Sequence, residues 1–128
     1  MTTQAFSLQQ LQPFLAGNPG RGTLRVQVFT ALGAFPVPQA LVEVAVIIGG
    51  ARVLLYRKRT DSSGIAEGFV LPAKPVYTSQ SPGTAGNSAV NYLVSVRHPA
   101  YESVPELNAR VFAGAKTILP VMLTPATT

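Results

Sequence analysis

The stretch Thr60-Asp61-Ser62-Ser63-Gly64 stands between two apolar, alternating runs, and it constrains the fold of this chain more than any other feature. Asp and Ser bend a backbone through local side-chain hydrogen bonds, and Gly64 can take a positive φ at no steric cost. Pro36-Val37-Pro38 lies before it and Leu71-Pro72 after it, so the flanking segments are short and bounded by residues unsuited to a central ladder. Strand-period runs punctuated in this way are the pattern of a small β-sandwich.

From Gly22 onward the period of two is explicit. In Thr23–Val28, Leu24, Val26 and Val28 fall on one side, Arg25 and Gln27 on the other. Residues 31–38 read as a loop. Residues 41–48 form a second strand, with Val42, Val44 and Val46 on one face and Glu43, Ala45 and Ile47 on the other. Gly49-Gly50 closes a hairpin into a third strand over 53–59. A fourth covers 65–71, where Pro72 is expected to stop it, and residues 72–89 form a long polar loop. A fifth spans 91–97 with Tyr92, Val94 and Val96 inward. One or two short strands follow over 102–111, and 116–123 closes the domain. Turns spaced about ten residues apart argue for an all-β sandwich rather than βαβ units.

Residues 1–21 have another character: rich in Gln and without charge until Arg21. Ser7 followed by Gln10 is a weak capping box, predicting a short helix over 8–12 that Pro13 ends or kinks. Gly17-Asn18-Pro19-Gly20 reads as a joint. Phe6, Leu8, Leu11, Phe14 and Leu15 are too apolar to rest in water, so they pack on their own domain or on a neighbouring molecule. The expected organisation is an arm over 1–21 and a sandwich over 22–125.

Composition narrows the chemistry. A chain of 128 residues is one domain by length, and only 12% of its residues are charged against 47% hydrophobic. A surface so poor in charge tends to meet another protein. There is no cysteine, which excludes disulfides, thiol nucleophiles and thiolate metal sites. One histidine and acids scattered at 43, 61, 67, 102 and 106 make a poor cage for a metal, and no nucleophile motif or phosphate loop is present. Asp61 is expected to cap backbone N–H groups of its turn. Hence no catalytic residue, metal or cofactor is expected.

No run approaches the roughly 20 apolar residues of a membrane span, and no basic leader precedes an apolar one. The protein is then cytoplasmic when made, leaves without a cleaved leader, or begins after one. Net charge is +5, with one dense cluster, Arg57-Lys58-Arg59. Charges at strand ends commonly blunt aggregation. Nucleic-acid binding would want the cluster interleaved with aromatics or laid along a helix, and neither occurs. An anionic polymer such as a cell-wall glycan is the other partner such a cluster suits.

In order along the chain, Gly22-Thr23-Leu24-Arg25-Val26-Gln27-Val28, Pro36-Val37-Pro38-Gln39-Ala40-Leu41-Val42-Glu43-Val44, Thr60-Asp61-Ser62-Ser63-Gly64, Asn91–Val96 with Pro99-Ala100-Tyr101-Glu102, and Leu119–Pro125 resemble carboxypeptidase regulatory-like domains. The likeness spans about 22–125, so the arm lies outside it. Ala100 departs from the pattern, which usually has Gly there. The resemblance implies a seven-stranded antiparallel, transthyretin-like (Ig-like Greek-key) sandwich used as a non-catalytic module in surface proteins, with Asp61, Ser62 and Gly64 as its defining turn.

Three functions are compatible with these features. The leading expectation is a structural subunit that self-associates, the arm docking on a neighbour's sheet edge or apolar face to build a surface appendage or filament. The alternative is a carbohydrate- or cell-wall-binding module using Arg57, Lys58, Arg59, Tyr77 and Tyr101. A small interaction domain of a larger complex is the third. The first two place the protein at the cell surface or outside the cell, or in the cytoplasm if it is not exported.

Overall fold

A computed structural model describes residues 8–30, 34–74 and 89–126. The described residues form one helix, α1 (Leu8–Gly17), and eight strands: β1 (Gly20–Thr30), β2 (Phe35–Pro36), β3 (Leu41–Ile48), β4 (Ala51–Arg59), β5 (Ile65–Ala73), β6 (Val90–Arg97), β7 (Leu107–Val111) and β8 (Lys116–Met122). Two four-stranded sheets result. In one, β1 is flanked by β5 and β8, with β2 pairing its last residues. The other has the order β4-β3-β6-β7.

The alternating residues meet between the sheets as the period requires. Leu24, Val26 and Val28 of β1, Val42, Val44 and Val46 of β3, and Tyr92, Val94 and Val96 of β6 are buried, joined by Phe69, Leu71 and Leu123. Each large side chain so removed from water contributes about 1.5–3 kcal/mol before entropy is counted. At the middle of the second sheet Ala45 points outward yet has 0% exposure. Leu54 and Leu93 are its register neighbours, and an ion pair from Arg52 to Glu106 spans the strands between them.

Pairing departs from the expected antiparallel seven strands in two respects. The segment taken as a loop contributes the short β2. More consequentially, β8 runs parallel to β1, Thr23 lying opposite Lys116 and Phe29 opposite Met122. Alternation specifies which face a side chain takes, not which strand lies alongside or in what direction.

Both prolines expected to interrupt elements sit inside them. β5 continues through Pro72 to Ala73, because β5 is an edge strand where a missing N–H costs no ladder bond. α1 runs through Pro13 to Gly17. The lost N–H deprives Gln9 of its intrahelical partner, and packing of Phe14 on the core offsets that cost. Asn18 closes the helix, its amide N–H donating to Leu15 O (3.2 Å) and its Nδ2 to Phe14 O (2.8 Å).

The turns follow the sequence closely. Gly49 and Gly50 both have positive φ (58° and 84°), as a two-residue hairpin of matching twist demands. Gly64 has φ 75°, and Asp61 Oδ1 accepts from the amides of Ser63 (2.9 Å) and Ile65 (3.0 Å). Ala100 is not left-handed: among the described residues the positive-φ non-glycine is Gln39. The departure from Gly is absorbed by another turn, in which Tyr101 N–H donates to His98 O and Ala100 N–H to His98 Nδ1.

Candidate functional site

Helix α1 lies on its own domain. Phe14 meets the Tyr92 ring edge-on at 6.4 Å, and Leu11 and Leu15 face Leu55, Tyr56, Val70, Leu71 and Pro72 across a cleft of about 240 Å³. Leu11, Phe14 and Leu15 are thus half-buried against the end of the same sandwich that follows them in the chain. Phe6 lies outside the described residues, and Leu8 is placed by its backbone as the first residue of the helix. Beneath the helix, Tyr92 donates its hydroxyl to Pro72 O. Burial, opposed by Arg21 and reinforced by Tyr56, holds that hydroxyl well above the usual phenol range.

The basic cluster splits across its strand. Arg57 and Arg59 point out from the second sheet, where Leu41 and Glu43 are their register neighbours. Arg57 pairs with Glu43 at 3.6 Å, and Arg97 of β6 reaches the same carboxylate at 3.1 Å. Arg59 Nη1 makes a long bond (3.3 Å) to Gln39 O. Lys58 turns the other way, its Nζ donating to Glu67 O (2.6 Å) while lying 5.6 Å from the Phe69 ring centroid. Between Val44 and Ala45 the β3–β4 register slips, so Tyr56 also turns toward the other sheet and donates to Val70 O (2.8 Å).

Of the aromatics assigned to glycan contact, Tyr77 lies outside the described residues. Tyr101 is half-buried, paired with Pro125 and stacked edge-on against His98 at 5.1 Å. Asp61 and Ser62 are exposed at the tip of their turn, whereas Gly64 is buried between β1 and the β2 segment.

An apolar surface lies on the outer side of the first sheet. On the outer face of β1 and β8, Phe29 lies opposite Met122 and Pro36, Gln27 opposite Pro120, and Arg25 opposite Ile118. Ile118 is 51% exposed and Met122 46%. The run Leu119-Pro120-Val121-Met122-Leu123 is apolar on both faces, so no polar alternate gave its outward side away. The charges beside it are Lys116 and Arg25, the latter opposed by Glu67 at 3.9 Å.

Among the described residues no group of three or more His, Cys, Asp or Glu gathers as a metal cage would require, and no helix is long and apolar enough to cross a membrane. No protein-family model and no curated protein matches the chain. Solved structures do. The chain is similar to transthyretin from Sparus aurata, with TM-score 0.55 and 16% identity over 81% of this chain and 90% of that one. It is also similar to 3-chlorocatechol 1,2-dioxygenase from Rhodococcus opacus 1CP (TM-score 0.55, 13% identity, 83% of this chain) and catechol 1,2-dioxygenase from Pseudomonas arvilla C-1 (0.57, 13%, 86%). It spans 60% and 54% of those two enzymes' own length. Likeness at these identities establishes the fold, a transthyretin-like β-sandwich, and one fold serves many functions.

Proposed function

We propose that this chain is a non-catalytic structural subunit, a carboxypeptidase regulatory-like module that assembles with copies of itself at the cell surface or outside the cell. The observation that supports it is the outer face of β1 and β8, where Phe29, Ile118, Pro120 and Met122 stand together beside few charges. Much of the net +5 sits on the other sheet, which carries Arg52, Arg57, Arg59, Arg97 and Arg110. Copies that meet through β1 and β8 bury apolar surface while keeping those basic faces apart.

The arm is a second contact in the same scheme. Leu11 and Leu15 are half-buried in a groove that every copy possesses, so a helix exchanged between neighbours keeps the same contacts. Light scattering after size exclusion, with negative-stain microscopy, tests both routes using wild type, Ile118→Asp and Leu11→Asp. Loss of assembly in Ile118→Asp with a retained fold supports the face, and loss in Leu11→Asp supports the arm. A wild-type protein that stays monomeric at every concentration overturns self-assembly. Were that monomer to sediment with cell-wall glycan, the carbohydrate-binding alternative, favoured by the excess positive charge around Arg57–Arg59, would take its place.

A further inference from the structure

The basic sheet carries a feature that self-assembly leaves unused. Register sets Leu41 of β3 between Arg59 of β4 and Arg97 of β6, so two arginines flank one leucine with their Cα atoms about 10 Å apart. Together with His98, Pro99 and Ser103 they line a cleft of about 330 Å³. His98 is held there by its stacking on Tyr101 and by the Ala100 N–H that its Nδ1 accepts (3.1 Å). Accepting at Nδ1 leaves Nε2 as the donor nitrogen of the ring. Ser103 adds a hydroxyl, and Leu41 supplies an apolar floor over which charge interactions are less screened.

The donors are only partly used. Glu43 is the carboxylate that the structure pairs with this row, and Arg57 and Arg97 share it. Arg59 gives one N–H to Gln39 O, and a guanidinium has five. Three guanidinium groups around one carboxylate leave a local excess of positive charge.

We propose that this cleft binds a phosphate-type oxyanion carrying two or more charges within reach. A carboxylate is satisfied by one guanidinium in a bidentate pair. A tetrahedral oxyanion offers several oxygens in different directions, which suits donors arriving from β4, β6 and the loop after β6. The excess of charge favours the higher valence.

Isothermal titration and amide chemical shifts at constant ionic strength test it, with inorganic pyrophosphate, inorganic phosphate and acetate as probes. Pyrophosphate is expected to bind more tightly than phosphate and acetate most weakly, with shifts confined to Leu41, Arg59, Arg97, His98 and Ser103. Arg59→Gln should weaken pyrophosphate at least tenfold, and Lys116→Gln, on the other sheet, less than twofold. Arg97→Gln serves as a second variant, although it also releases Glu43. Glycerol phosphate against a poly(glycerol phosphate) oligomer separates the sources: a tenfold preference for the oligomer assigns a phosphodiester polymer, equal affinity a small phosphate compound. Equal losses in Arg59→Gln and Lys116→Gln, acetate matching pyrophosphate, or no saturable binding at millimolar pyrophosphate would each overturn the site.

Discussion

Substituting Gly64 by Ala probes the turn with a magnitude that the geometry supplies. Two costs add. The residue has φ 75°, where an L side chain is disfavoured by about 1–2 kcal/mol. An added Cβ would also stand 2.3 Å from Val28 O and 3.0 Å from both Pro36 Cβ and Val37 N. Val28 O cannot simply retreat, since it accepts the Val37 amide (2.9 Å), while the Val28 amide donates to Gly64 O (2.7 Å). Relieving the clash strains both bonds, each worth about 1 kcal/mol. The expected loss is about 3–4 kcal/mol, a fall in Tm of roughly 10 °C for a domain of this size. Gly114→Ala is the control: its φ is 73°, but nothing lies within 4 Å of the added Cβ, so only the backbone term applies. Urea and thermal unfolding of the two variants should therefore differ by about 2 kcal/mol. Equal destabilisation would show that Gly64 is required for its φ alone and that the packing of the turn against β1 contributes nothing.

Other outcomes follow from single contacts. Thr60→Val removes a hydroxyl that donates to Val37 O (2.7 Å) and accepts from Ala40 N–H (2.9 Å), leaving both buried; chemical denaturation should show a loss of about 2 kcal/mol or more. Phe14→Ala should lower monomer stability by about 2 kcal/mol, because the ring is half-buried on Tyr92; an unchanged denaturation midpoint would mean the helix does not dock on its own domain. Tyr92 predicts alkaline sensitivity. Its hydroxyl ionises at higher pH in the folded chain than in the unfolded one, where the phenol pKa is about 10. The stabilisation is thus complete below about pH 10 and is lost as pH rises beyond it. Tyr92→Phe should flatten that decline in an unfolding series from pH 8 to 11, at the cost of the bond to Pro72 O.

Much of the architecture is written in local pattern. Alternation alone located the inward rows of β1, β3 and β6, and the Asp-Ser-Ser-Gly and Gly-Gly turns behave as their chemistry dictates. What stayed hidden is non-local. The parallel course of β8 depends on which neighbour it finds, and nothing in Lys116–Met122 encodes that. The slip between Val44 and Ala45, which no local pattern marks, turns Tyr56 toward the other sheet. Pro72 reads as a stop and Pro13 as an end or kink, because their tolerance depends on an exposed edge and on a packed helix, both tertiary facts. The anion cleft is the clearest case: Arg59 was marked as part of a cluster, but its companion Arg97 lies in another strand and joins it only through Leu41. For the arm, apolar content showed that it must be covered, and the choice of cover came from three dimensions.

The hydroxyl of Tyr56 and the ammonium of Lys58 occupy two carbonyls of β5, those of Val70 and Glu67, along the border of its sheet. An incoming extended segment would find those acceptors already taken, and displacing a donor from each would forfeit bonds before any new one formed. On the opposite border Pro120 interrupts β8 with a position that has no hydrogen to give. A protein this greasy and this sparsely charged thus has both rims of that sheet guarded against strand addition.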